Sequence, residues 1–197
     1  MAENANSMPV LMELPWKKQL ALMLLVLERM LPLLIAFSKD TGRDAACYLK
    51  ARDAAWAALE GKRDGLPNEL LNEECLRNAP DTEEFSHKLT SYALDAALAM
   101  SHILEFIVDR QKKHIADVLV LAVDSVDLFV GRLDASFVYT PELERKIAAH
   151  PLMKQELRRE AEDIKFLAGL PDEFDKETIS ALRTRASSQA PLLPVPR

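Results

Sequence analysis

Apolar residues crowd the chain from Leu20 to Phe37, in the strings LALMLLVL and LPLLIAF, with Glu28 and Arg29 set side by side in the middle. Beyond that block the apolar positions become periodic. Leu89, Tyr92, Ala93, Ala96, Met100, Ile103, Leu104 and Ile107 recur at i, i+3, i+4 and i+7, which predicts an amphipathic helix over about 86–110. Ile115, Val118, Leu119, Ala122, Val126, Phe129 and Leu133 repeat the stripe and predict a second over about 113–134. Ala45, Tyr48, Leu49, Ala55, Trp56 and Leu59 form the apolar face of a helix that Gly61 ends.

Punctuation supplies the remaining boundaries. Pro15 suits a first helical turn, since its missing N–H has no partner there in any case, and that first helix is expected to kink or break near Pro32. Thr41 and Asp44 have capping-box spacing, as do Asp81 and Glu84. A short helix is expected after Pro67, and another from Thr140 and Pro141. Pro151 opens one that Gly169 closes, and Pro171-Asp172 opens a last one over about 173–186. The linkers are short, as between neighbouring antiparallel helices. The pattern predicts an all-α protein, a single compact bundle of six or seven mostly antiparallel helices over residues 13–186. A flexible arm is expected over 1–12 and a disordered, proline-rich tail over 187–197.

Composition sharpens this picture in two places. There are only five glycines, too few for glycine-rich phosphate loops, dinucleotide-binding turns or runs of tight hairpins. The net charge of −6 gives no basic footprint for nucleic acid. Cys47 and Cys75 make neither a disulfide framework nor a zinc site, and read as small buried hydrophobes in a reducing cytoplasm. By length, Leu20–Phe37 resembles a membrane span. Glu28 and Arg29 at its centre, each costing about 3 kcal/mol on insertion scales, favour a helix buried in a water-soluble core.

Candidate chemistry is sparse. Glu28 and Arg29 lie about 100° apart on a helix; either they line a polar pocket between helices, or charges from other helices pair with them. Asp117, Asp124, Asp127 and Asp134 share one helix face, ordinarily a solvated one, with Asp124 and Asp127 expected to be partly buried. Glu84 and His87 have the spacing of di-iron bundles without the second copy that such centres need, so no metal and no cofactor is expected. His102 and Glu105 carry the reverse order, and His114 sits in a basic connector. Arg158 and Arg159 have Glu162 and Asp163 four residues on, the spacing of surface pairs. No nucleophile motif is present, so no catalytic residue is assigned.

Taken end to end, the chain resembles a bacterial family of uncharacterised proteins, the YjaG-like domain of unknown function 416. The resemblance spans about residues 13–186. It rests on Leu14-Pro-Trp-Lys-Lys-Gln19, Glu28-Arg-Met-Leu-Pro32 with Phe37, Trp56-Ala-Ala-Leu59, Pro80-Asp81 with Phe85, Ala93-Leu-Asp-Ala-Ala97, Ala122-Val-Asp-Ser-Val-Asp127 and His150-Pro-Leu-Met-Lys-Gln-Glu156. Where the family pattern has Asn-Tyr after the proline, this chain has Leu33 and Leu34. The resemblance implies an all-helical cytoplasmic bacterial protein with no established activity or ligand. It draws attention to Glu28, Arg29, Asp95 and Asp124 as ligand-binding candidates, with Asp95 close enough in register to the buried stripe to pair with Arg29.

The function expected on these grounds is that of a non-enzymatic interaction or scaffold protein. It would self-associate, as a homodimer, through the apolar excess of the first helix, without nucleic-acid or membrane partners. The alternative is a small-molecule or metal-binding protein, or an enzyme, with an interhelical polar pocket.

Overall fold

The computed structural model describes residues 9–62, 69–134 and 138–195. The first eight residues of the expected arm, Gly65, the Pro67 start signal and the final two residues lie outside them. Nine helices, with no strand, make up the regular structure among the described residues. They are α1 (9–13), α2 (Trp16–Thr41), α3 (Ala46–Leu59), α4 (Glu69–Arg77), α5 (Thr90–Asp109), α6 (Lys113–Gly131), α7 (Pro141–Ala149), α8 (Pro151–Ala168) and α9 (Lys176–Ser188). The all-α expectation holds, and the count of six or seven was too low. His150 both ends α7 and caps α8, its Nδ1 accepting from the Leu152 N–H, so a single extended residue separates the two helices.

The apolar block becomes α2, the central helix, which packs on α3, α5, α6, α8 and α9. Leu20 through Leu27 are wholly buried without exception. An all-round apolar helix requires neighbours on every side, and this chain supplies them itself. Among the described residues two helices, α2 and α5, are long and apolar enough to cross a membrane by length and composition; 78% and 61% of their apolar windows are buried inside the fold. Cys47 and Cys75 are both buried free thiols, and burial pushes Cys75 up to about 12.

Several boundaries differ from expectation, each for a local reason. Helix α2 continues through Pro32 rather than breaking there. Proline costs the helix the hydrogen bond to the carbonyl four residues back, that of Glu28; the next carbonyl, that of Arg29, accepts a 2.7 Å bond from the Leu192 N–H. That bond also corrects the tail: α9 runs to Ser188, and Leu192 and Leu193 are buried in the core. The arm is ordered from residue 9, because Leu11 is buried and its carbonyl accepts from Gln19 Nε2. Thr41 caps nothing ahead of it; its hydroxyl donates back to Phe37, and Gly42, at φ 72°, closes α2 in the left-handed conformation that glycine adopts at little cost. Asp81 closes a local turn by accepting from the Glu83 N–H, so α5 starts at Thr90 instead of about 86.

Candidate functional site: a charge-stitched helix wall and the cleft it supports

The face of α8 turned to the core reads Met153, Glu156, Glu160, Asp163, Leu167, a 3-4-3-4 succession that belongs to a buried helix face. Three acids occupy positions where apolar residues are the rule, and all three are buried. Arg29, 1% exposed, meets them from α2. Its Nη2 and Nε donate to Glu156 Oε1 at 2.5 and 3.1 Å, and its Nη1 donates to Asp163 Oδ2 at 2.8 Å and Gln189 Oε1 at 2.6 Å. Arg185 of α9 takes the other Asp163 oxygen at 2.6 Å, where Gln189 Nε2 also donates at 3.0 Å. Burial alone would lower the Arg29 pKa; the carboxylates of Glu156 and Asp163 more than offset it, so the guanidinium stays charged. Asp163 therefore does not form the surface pair expected with Arg159, which instead approaches Glu156 Oε2 at 3.7 Å.

Glu160 is the member of this stripe with the least compensation. Burial first, and then the charge of Glu156, push its carboxyl up to about 8, and its Oε1 has no hydrogen-bond partner among the described residues. In the unfolded chain a glutamate ionises near 4.5, so between pH 4.5 and 8 folding takes up a proton. Stability from this group is complete below pH 4.5 and is lost as the pH rises through 8. Glu160→Gln is expected to flatten that fall. At pH 8 the variant should be more stable than the parent by up to about 4 kcal/mol, and at pH 4 the difference should vanish, as read from urea midpoints at the two pH values.

Glu28, one residue before Arg29, faces a different neighbour. Its Oε1 accepts a 2.8 Å bond from Trp56 Nε1 and lies 4.0 Å from Arg52 Nε. It borders a cleft of about 1180 Å³ between α2, α3 and α9, whose lining includes Phe174, Lys176, Ile179 and Arg183. The Arg183 guanidinium lies over the Trp56 ring, 4.8 Å from its centroid, and bonds Glu60 at 2.8 Å. Lys62, and after it Arg183, hold the Glu60 carboxyl below its ordinary range. The carboxylates of the cleft are thus occupied: Glu28 by Trp56, Glu60 by two cations, and Asp175 by the Thr178 N–H, where it caps α9. The Lys176 ammonium has no ion-pair partner among the described residues. A second groove of equal volume, between α6, α7 and α8, has no aromatic side chain in its lining.

The four residues anticipated as one pocket are therefore distributed over three places. Glu28 borders the cleft, and Arg29 holds the α8–α9 wall behind it. Asp95 does not reach Arg29: it accepts a 2.6 Å bond from Ser125 across the α5–α6 contact, and burial, then the charge of Asp124, raise it to about 6. Asp124, expected to be partly buried, stands exposed, with its pKa raised by partial desolvation and then by Asp127. Glu156, Glu160, Asp163, Arg185 and Gln189 were not anticipated. For the three acids the signal was present, since their spacing matches that of Met153 and Leu167. For Arg185 and Gln189 no pattern in the sequence points inward.

Fold and site together define an all-helical protein whose C-terminal helices are fastened to a central apolar helix by buried ion pairs. The profile of the family described as "Protein of unknown function (DUF416)" matches residues 8–190, and the chain belongs to that family. No curated protein matches it. A crystal structure of a DUF416 family protein from Shewanella baltica OS155 is similar at a TM-score of 0.79 and 19% sequence identity, covering 91% of this chain and 92% of that one. That likeness shows the fold.

Proposed function

We propose that this protein binds a small organic anion in the cleft between α2, α3 and α9. The observation that carries the reading is the charge arrangement there: the cleft's carboxylates each have donors of their own, whereas Lys176 has no ion-pair partner among the described residues, and Arg183, bonded to Glu60 through one nitrogen, lines the same cleft. Phe174 and Ile179 supply apolar surface beside those cations, as small-molecule sites combine a largely apolar lining with a few placed polar groups. Lys176 is also the first residue of α9, where the helix dipole favours negative charge. Arg29 enters indirectly. Its bonds to Gln189 and Asp163, with Arg185 on the same carboxylate, fix α9 so that its opposite side forms the cleft wall. Scaffolding through the first helix has lost its motive, because the apolar surface of α2 is covered by this chain's own helices.

The test is a thermal-shift screen of small mono- and dicarboxylates and phosphate esters. A ligand present at a hundred times its dissociation constant stabilises by about 2.7 kcal/mol, a rise of roughly 5–10 °C for a domain of this size. Arg183→Gln combined with Lys176→Gln should abolish the rise while the unliganded melting temperature moves little. A screen without hits, or hits indifferent to both substitutions, would count against the reading.

A further inference from the structure

The α5–α6 hairpin, remote from that cleft in its residues, brings together a second set of groups. Helix α5 carries His102 and Glu105 one turn apart; Arg110, at φ 58°, reverses the chain, and α6 presents His114 and Asp117 at the same i, i+3 spacing. Each helix thus contributes a histidine followed three residues later by an acid. Three of the ligand atoms form a nearly equilateral triangle: His102 Nδ1 to His114 Nδ1 is 3.2 Å, His114 Nδ1 to Glu105 Oε2 is 3.2 Å, and His102 Nδ1 to Glu105 Oε2 is 3.4 Å. Tetrahedral zinc, bonded to nitrogen and oxygen at about 2.0–2.1 Å, sets its ligand atoms about 3.3 Å apart. Asp117 Oδ2 stands 3.7 Å from His102 Nδ1.

The hydrogen bonding also leaves room for a cation. His114 is buried, and its Nε2 lies 3.1 Å from Asp109 Oδ2. A carboxylate only accepts, so Nε2 directs its hydrogen at Asp109, and a cation that displaces the hydrogen between Nδ1 and Glu105 would meet the Nδ1 lone pair facing His102 and Glu105. A carboxylate that orients the far nitrogen of a ligating histidine is the usual outer-shell partner of a metal site. The side chains of His102, Glu105 and Asp117 are 29%, 41% and 45% exposed, so an ion has a path from solvent.

We propose that the α5–α6 hairpin binds one divalent transition-metal ion of the zinc class through His102 Nδ1, His114 Nδ1 and Glu105 Oε2, with Asp117 or water as the fourth ligand. Two imidazoles and carboxylate oxygens without a thiolate suit Zn²⁺, Co²⁺ and Ni²⁺ and are too nitrogen-rich for Mg²⁺ or Ca²⁺. Sequence spacing alone conceals the site because its ligands are shared across the turn, two from each helix.

The experiment uses the full chain without a histidine tag, stripped with chelator and titrated calorimetrically with ZnCl₂, with CoCl₂ as a spectroscopic substitute. Expected are one Zn²⁺ per chain, the intense visible absorption of tetrahedral Co²⁺, and a zinc-dependent rise in melting temperature. His102→Ala and Glu105→Gln, at partly exposed positions that leave the fold intact, should each weaken binding at least ~100-fold. Asp109→Asn should weaken it about tenfold, and His87→Ala, outside the cluster, should change nothing. Should His114→Ala fail to fold, the other two ligand variants decide. Absence of stoichiometric uptake, or uptake unaffected by His102→Ala and Glu105→Gln, would overturn the proposal.

Discussion

Replacing Arg29 by methionine is expected to lower stability by about 3–5 kcal/mol, the usual cost of removing one partner from a buried ion pair. Methionine matches the arginine stem in length, so the loss isolates the charge and its hydrogen bonds. Among the described residues, Glu156 Oε1 would lose both of its donors and Asp163 Oδ2 its only one, in a region where Glu160 already carries an uncompensated carboxyl. Acid should soften the defect, because protonating the orphaned carboxylates removes the buried charge. The gap between variant and parent, measured by urea denaturation, should therefore shrink from pH 8 to pH 5. Replacing Glu156 and Asp163 by leucine in the Arg29→Met background should recover much of the loss, since apolar side chains often substitute for a whole buried network without cost.

Trp56→Ala should be comparably severe, about 3–5 kcal/mol, the range for truncating a large aromatic in a core. The ring is 2% exposed, is covered on one face by Arg183 and donates to Glu28. Its removal opens a cavity between α2 and α3 and frees Glu28 and Arg183 from their shared support. Trp56→Phe fills most of that volume and loses only the indole N–H, so it should cost about 1–2 kcal/mol. Thermal unfolding of the two variants separates the packing contribution from the hydrogen bond. A loss in Trp56→Phe as large as in Trp56→Ala would mean that the bond to Glu28, not packing, holds the two helices together.

How far the sequence revealed this molecule depends on whether a feature is local. Helices α3, α5 and α6 follow from apolar periodicity and α8 from the proline at its start, both of which act within a few residues. The docking of the tail on α2 was hidden, because the bond to the Arg29 carbonyl comes from Leu192, far along the chain. The adjacent charges Glu28 and Arg29 were conspicuous for being polar in an apolar block. The geometry bears out their divergence and, for Arg29, the pairing with charges from another helix: about 100° of helix rotation sends Glu28 to Trp56 and Arg29 to the acids of α8. Asp95 was placed correctly near the buried stripe and given the wrong partner, since helix register says which face a residue occupies and nothing of what lies opposite. The acids of α8 were legible in principle. Their 3-4-3-4 spacing is that of a core face, but three charges at such positions resemble a solvated surface until Arg29 is known to meet them.

The most direct test of the binding account is a fluorescence titration of Trp56. In Trp16→Phe the remaining tryptophan lies beneath Arg183 at the edge of the cleft. Titration with the strongest anion from the thermal-shift screen should give a saturable change in emission, with one site per chain, because drawing Arg183 toward the ligand alters the surroundings of the ring. The same titration of the Arg183→Gln, Lys176→Gln variant should be flat. Saturable binding that leaves Trp56 emission unchanged, or that survives in the variant, would place the ligand elsewhere and contradict the account.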